Sequence, residues 1–160
     1  MALIRSSGDL LAQAMKGKYH IIVQGCNCFC TMGSGIARQI REQFPRAYEA
    51  DKATKSGDRN KLGTYSVALG KQFNIINAYT QYGFNRGGAN EDVFEYEAFQ
   101  KILDKLVEEY PGCRFGFPAI GCGLAGGNEE RIVGMLEEFA LRVEETGGTV
   151  TLVKYMPAAR

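Results

Sequence analysis

"YHIIVQGCNCFCTMGSGIARQIREQF", residues 19–44, is a strand, a loop and a helix written in one run. Its first third, "YHIIVQGCN", is an apolar stretch of strand length, rich in β-branched residues. Its last third, "GSGIARQIREQF", carries Ile36, Ile40 and Phe44 four apart, the spacing of one helix face. Between them lie Cys26, Cys28 and Cys30 at alternate positions, Asn27 among them, and a Gly-x-Gly turn at Gly33 and Gly35. A strand that feeds a helix through a glycine turn is the repeating unit of an α/β domain.

The same alternation continues outward. "ALIRSS" at 2–7 reads as a short strand, and "GDLLAQAMKG" at 8–17 as a short helix starting at Gly8–Asp9. Downstream, Pro45 sits in the first turn of a second, more polar helix, "PRAYEADKATKSGD". "KLGTYSVAL" and "QFNIINAYT" follow as strands, with Gly70–Lys71 marking a tight hairpin. "NEDVFEYEAFQKILDKLVEEY" at 90–110 predicts the longest helix, capped by Asn90 and lined by Phe94, Ala98, Ile102 and Leu106. A strand in "CRFGFPAIG", a helix in "NEERIVGMLEEFALRVEE" and a strand in "GTVTLVKYM" complete the chain. The pattern predicts one domain over 1–160, a three-layer α/β/α fold with a mixed, mostly parallel sheet.

Composition fits that reading. Of 160 residues 45% are hydrophobic and 23% charged, as in an ordinary globular domain. Nineteen basic against 18 acidic residues leave a net charge of +1, which gives no electrostatic case for nucleic acid or an anionic membrane. The apolar runs are shorter than a bilayer span and the N-terminus lacks a signal-peptide core, so a cytoplasmic protein is expected. Five cysteines, an odd count, argue against a disulfide framework.

The cysteines of the opening stretch lack the Cys-x-x-Cys spacing of a zinc knuckle or a thioredoxin-like motif. His20, the one histidine, falls in the predicted strand, where packing or a structural hydrogen bond is its expected role. The thiols read as small apolar fillers, with no metal and no cofactor expected. A cysteine-based redox or metal protein is the competing reading from another class.

The glycines point elsewhere. "TMGSGIA" and "IGCGLAGGN" each stand between a strand and a helix, where free N–H groups and the helix dipole attract phosphate. Two such loops in one small domain suggest a diphosphate held between them. Neither is followed by Lys-Ser or Lys-Thr, so triphosphate hydrolysis has no support. Arg38 takes the place of a third glycine, so a Rossmann dinucleotide site fits poorly. Asn27 is either a contact to a sugar hydroxyl or a turn former, and Asp9 either a ligand contact or a helix cap.

The order of these motifs resembles a macrodomain, the ADP-ribose-binding module. The resemblance spans nearly the whole chain: Gly8-Asp9, Asn27, "MGSGIA" at 32–37, Phe44-Pro45, "INAYTQY" at 76–82, "AIGCGLAGG" at 119–127 and "VKYMP" at 153–157. It is most similar to compact phage and bacterial proteins that process ADP-ribose-1''-phosphate, and to the branch that removes ADP-ribose from acidic side chains. The resemblance implies that Asp9 contacts the adenine amino group and that Tyr155 lies against the base. Asn27 would hold the distal ribose near its reacting carbon. Gly33, Ser34, Gly35 and Ile36 would cover one side of the diphosphate, and Gly121, Cys122, Gly123, Leu124 and Ala125 the other. Its implied partners are ADP-ribose, ADP-ribose-1''-phosphate or an ADP-ribosylated protein.

Catalytic groups of the related branches are replaced. Ala78-Tyr79 stand where glycohydrolases carry a lysine after the strand, Ala125-Gly126 where they carry an acid, and Gln24 where a phosphatase branch carries a histidine. Arg38-Gln39 follow Ala37 where another de-ADP-ribosylating branch carries an acid. What remains is a backbone-rich pocket that could orient a water with Asn27, Asn77 or Gln81. The expected turnover is a phosphatase reaction on ADP-ribose-1''-phosphate rather than efficient glycohydrolysis, with a non-catalytic reader as the alternative.

Overall fold

The computed structural model describes residues 2–33, 35–83, 94–120 and 128–156. Its strands are β1 (Leu3–Gly8), β2 (Ile21–Cys26), β3 (Tyr65–Ala68), β4 (Asn74–Tyr79), β5 (Arg114–Phe117) and β6 (Thr149–Tyr155). Its α-helices are α1 (Leu10–Met15), α2 (Gly35–Gln43), α3 (Pro45–Lys52), α4 (Tyr96–Glu109) and α5 (Glu129–Glu145), and a 3-10 turn covers Arg59–Lys61. The strands form one sheet in the order β1-β6-β5-β2-β4-β3. All neighbours are parallel except β3 and β4, the hairpin pair.

Side-chain alternation sorts the layers. Along β2, Ile21 and Val23 join a core with Phe99, Ile102 and Leu106 of α4 and Leu136, Phe139 and Val143 of α5. Ile22 and Cys26 turn to the other face and meet Leu11 of α1, Ile40 of α2 and Ala47 of α3. Phe139 closes the first core, edge-on to Phe115 at 5.3 Å and to Phe117 at 5.7 Å.

Two expectations shift. Helix α4 starts at Tyr96, so Phe94 precedes it rather than lining its face. The cause is local: the Glu95 N–H donates to the Thr80 carbonyl at 2.8 Å, which holds Glu95 extended at the end of β4. Phe94 is buried all the same, edge-on to Phe99. The cap expected at Asn90 lies outside the described residues. His20 falls just before β2, and its Nδ1 accepts from the Arg114 N–H at 2.8 Å. That bond ties the start of β2 to β5, at the opposite end of the sheet from the loop that leaves β2.

Candidate functional site

Five parallel strands end on one edge, and the chain leaves β2 and β5 in opposite directions. After β2 it proceeds to β3 and β4; after β5 it proceeds to β6, on the other side. Such a switch point opens a crevice at the carboxyl ends of the strands. Here β2 pairs with β4 over six rungs, Ile21↔Asn74 through Cys26↔Tyr79, but its register with β5 stops at Ile22↔Gly116. Pro118 follows β5 immediately and has no N–H to extend the ladder.

A cleft of about 370 Å³ lies on this edge, bounded by the ends of β1, β5 and β6 and the first turns of α2. It brings together Asp9, Gly35, Ile36 and Tyr155, four residues that the sequence placed in one site. Asp9 reaches it because Gly8 turns the chain with φ of +139°, a conformation that favours glycine. The Asp9 Oδ1 accepts from Leu11 N–H at 3.0 Å and Ala12 N–H at 3.2 Å, so Asp9 caps α1. Among the described residues no hydrogen bond falls on Oδ2, which leaves that oxygen for a ligand. Tyr155 is 57% exposed and lines the cleft.

Asn27 and Gly33 stand apart from these four, in the loop after β2. The Asn27 Oδ1 accepts from Phe29 N–H at 2.8 Å and its Nδ2 donates to Thr31 Oγ1 at 2.7 Å. Asn27 is thus a turn former here, although an amide engaged once at each end keeps a second proton and a second lone pair. Ser34, Gly121, Cys122, Gly123, Leu124 and Ala125 lie outside the described residues.

The loop that carries Asn27 is held from below. Cys30 and Met32 take left-handed backbone conformations, φ of 59° and 43°. Buried Lys61 secures the loop, its Nζ donating to the Cys28 carbonyl at 3.0 Å and to Cys30 Sγ at 3.5 Å. The Gly57 N–H donates to the same carbonyl at 2.7 Å, and Cys30 Sγ donates to the Asp51 carbonyl at 3.1 Å. Cys26 and Cys28 are buried, and burial pushes the Cys28 thiol up to about 11. Among the described residues, no three His, Cys, Asp or Glu side chains converge where a metal ion could bind.

Asn77 cannot orient a water in the cleft, contrary to the sequence expectation. It is fully buried against α3, donating to the Ala47 carbonyl at 2.9 Å and Ser66 Oγ at 3.0 Å, and accepting from Gln24 Nε2 at 2.8 Å. Gln24, at the position of the phosphatase histidine, is equally buried. Gln81 is half-buried and donates to the Gly83 carbonyl at 2.8 Å. Sequence reasoning missed Gln39 as a cleft residue. Its signal was present: it lies three and four positions after Ile36 and Gly35, on one helix face.

Comparison with other proteins agrees with this fold. Residues 23–135 match the family described as Macro domain. The chain is 39% identical to an uncharacterized 17.5 kDa protein of the tk-vs intergenic region of Enterobacteria phage T4, covering 86% of this chain and 89% of that one. In fold it is similar to a protein of unknown function from Bacteroides thetaiotaomicron, with a TM-score of 0.78, 21% identity, and 96% and 98% of the two chains covered. It is also similar to Thermosipho africanus DarTG in complex with ADP-ribose, with a TM-score of 0.70, 20% identity, and 96% and 42% covered. The chain belongs to the macro domain family, a family that binds ADP-ribose. No described helix is long and apolar enough to cross a membrane.

Proposed function

We propose that this chain binds ADP-ribose or a derivative at the cleft, and that its turnover is removal of phosphate from ADP-ribose-1''-phosphate. The observation that carries the binding reading is the convergence of Asp9 and Tyr155 on one cleft at the strand ends. Asp9 offers a free carboxylate oxygen to an amino group, and Tyr155 a flat exposed face to a base. The remaining wall is largely apolar, contributed by Leu10, Ile36, Pro118 and Val153. Complexes of the fold with ADP-ribose support the same ligand.

Turnover would rest on positioning rather than on a strong acid or base. Asn27 would orient a water beside the distal ribose with the proton and lone pair its loop leaves free, and backbone N–H groups at the glycine loops would steady the phosphate. A second reading, a non-catalytic reader of ADP-ribosylated protein or free ADP-ribose, draws on one observation. Among the described residues, Asp9 and Tyr155 are the only ionisable groups on the cleft wall, and Asp9 also caps a helix. Release of inorganic phosphate from ADP-ribose-1''-phosphate decides between them. The enzyme reading expects multiple turnovers that Asn27→Ala abolishes while ADP-ribose still binds; tight binding without phosphate release favours the reader.

A further inference from the structure

Gln39 stands one turn beyond Gly35 and Ile36, half-buried, and lines the same cleft as Asp9. Among the described residues nothing hydrogen-bonds its amide, whereas Asp9 has committed Oδ1 to the α1 cap and holds Oδ2 free. The cleft therefore presents one group that only accepts and one that both donates and accepts, beside the apolar side chains of Leu10, Ile36 and Val153. That donor set suits a flat heterocycle with an exocyclic amino group next to a ring nitrogen. Apolar surface receives the ring, and the two polar groups read its edge.

We propose that Gln39 is a base-reading residue: its amide N–H donates to a ring nitrogen of adenine while Asp9 accepts from the neighbouring amino group. This rests on the reading of the cleft as an ADP-ribose site. A 6-oxo purine reverses both edges. Its carbonyl oxygen meets the Asp9 carboxylate, and its ring N–H replaces the acceptor that Gln39 addresses. The Gln39 amide can turn its oxygen to that N–H, but the Asp9 carboxylate has no proton to offer. The 6-oxo purine therefore leaves two desolvated oxygens facing each other, and the pair discriminates through Asp9. The proposal assigns the contribution of Gln39 to the base, which a base-free ligand tests directly.

The test is calorimetric titration of wild type, Gln39→Ala and Gln39→Glu with ADP-ribose, its inosine counterpart and base-free ribose 5-diphosphate. Alanine is a strong helix former, so the helix is retained. The expected result is a loss of about tenfold in ADP-ribose affinity for Gln39→Ala, with ribose 5-diphosphate unchanged within about twofold. Gln39→Glu, which can only accept, should narrow or reverse the preference for adenine over hypoxanthine. If wild type binds ADP-ribose and Gln39→Ala binds it equally well, or loses both ligands equally, the base-reading role is overturned while the site stands. If wild type binds no ADP-ribose, the proposed function falls and this role with it.

Discussion

Gly8 and Tyr155 are partners in the last rung of the β1–β6 ladder, and the Met156 N–H donates to the Gly8 carbonyl at 2.9 Å just beyond it. The parallel register therefore fixes the backbone spacing between Asp9, which follows Gly8, and Tyr155. Neither residue needs a long loop to reach the cleft, because both stand at strand ends. The backbone placement of the pair is a product of the sheet itself.

Asp9 caps α1 and, on the proposed reading, meets the ligand, and substitutions separate the two roles. Asp9→Ala should cost about 1 kcal/mol of stability through the lost cap, and about 1–3 kcal/mol of adenine-nucleotide affinity through the lost amino-group bond. Asp9→Asn keeps capping ability and removes the charge. Thermal melts should then show near wild-type stability while titration still shows weakened binding. Undiminished affinity in both variants would remove Asp9 from the site.

Asn77 is predicted to matter for stability and not for binding. Asn77→Ala leaves the Ala47 carbonyl and the Gln24 amide without their partner in a fully buried setting. The expected cost is about 3 kcal/mol, read as a lower urea midpoint with an unchanged slope. ADP-ribose affinity of the folded fraction should match wild type.

Buried Asp51 predicts a pH dependence. Its Oδ1 accepts from the Tyr79 hydroxyl at 2.8 Å, and burial, the largest influence, raises its carboxyl above the ordinary 3.8. The folded state thus holds this proton more tightly than the unfolded chain does. The stabilising contribution is complete below the unfolded value and is lost as pH rises through the folded one. Asp51→Asn should flatten that fall: the stability of wild type relative to the variant should decline as pH climbs above about 4. A difference that rises over the same range would contradict it.

The thiols offer a direct check on the packing account. Burial raises Cys26 well above its ordinary range and Cys28 to about 11. Iodoacetamide at neutral pH should leave both unmodified in the native protein and label both in urea, by peptide mass mapping. Rapid native labelling of Cys28 would reopen a redox reading.

The layer pattern was legible because hydrophobic periodicity is a local property. Ile36, Ile40 and Phe44 mark α2, and the apolar run through Ile21–Val23 marks β2, without reference to the rest of the chain. The start of α4 was not legible, since it depends on the Glu95 N–H reaching the Thr80 carbonyl, a tertiary bond. The site divides in the same way. Motif order put Asp9 and Tyr155 together and both line one cleft, but Asn77 looked available because nothing local shows that α3 covers it. The support that Lys61 gives the cysteine loop spans more than thirty positions, from Cys28 to Lys61, and no spacing rule announces it.

The most direct test of the central claim is calorimetric titration of the metal-free protein with ADP-ribose, with AMP and NAD as comparisons. The account predicts micromolar binding, about −8 kcal/mol, with a strong preference for ADP-ribose over both comparison ligands. No binding at millimolar ADP-ribose, or equal affinity for AMP, would contradict it.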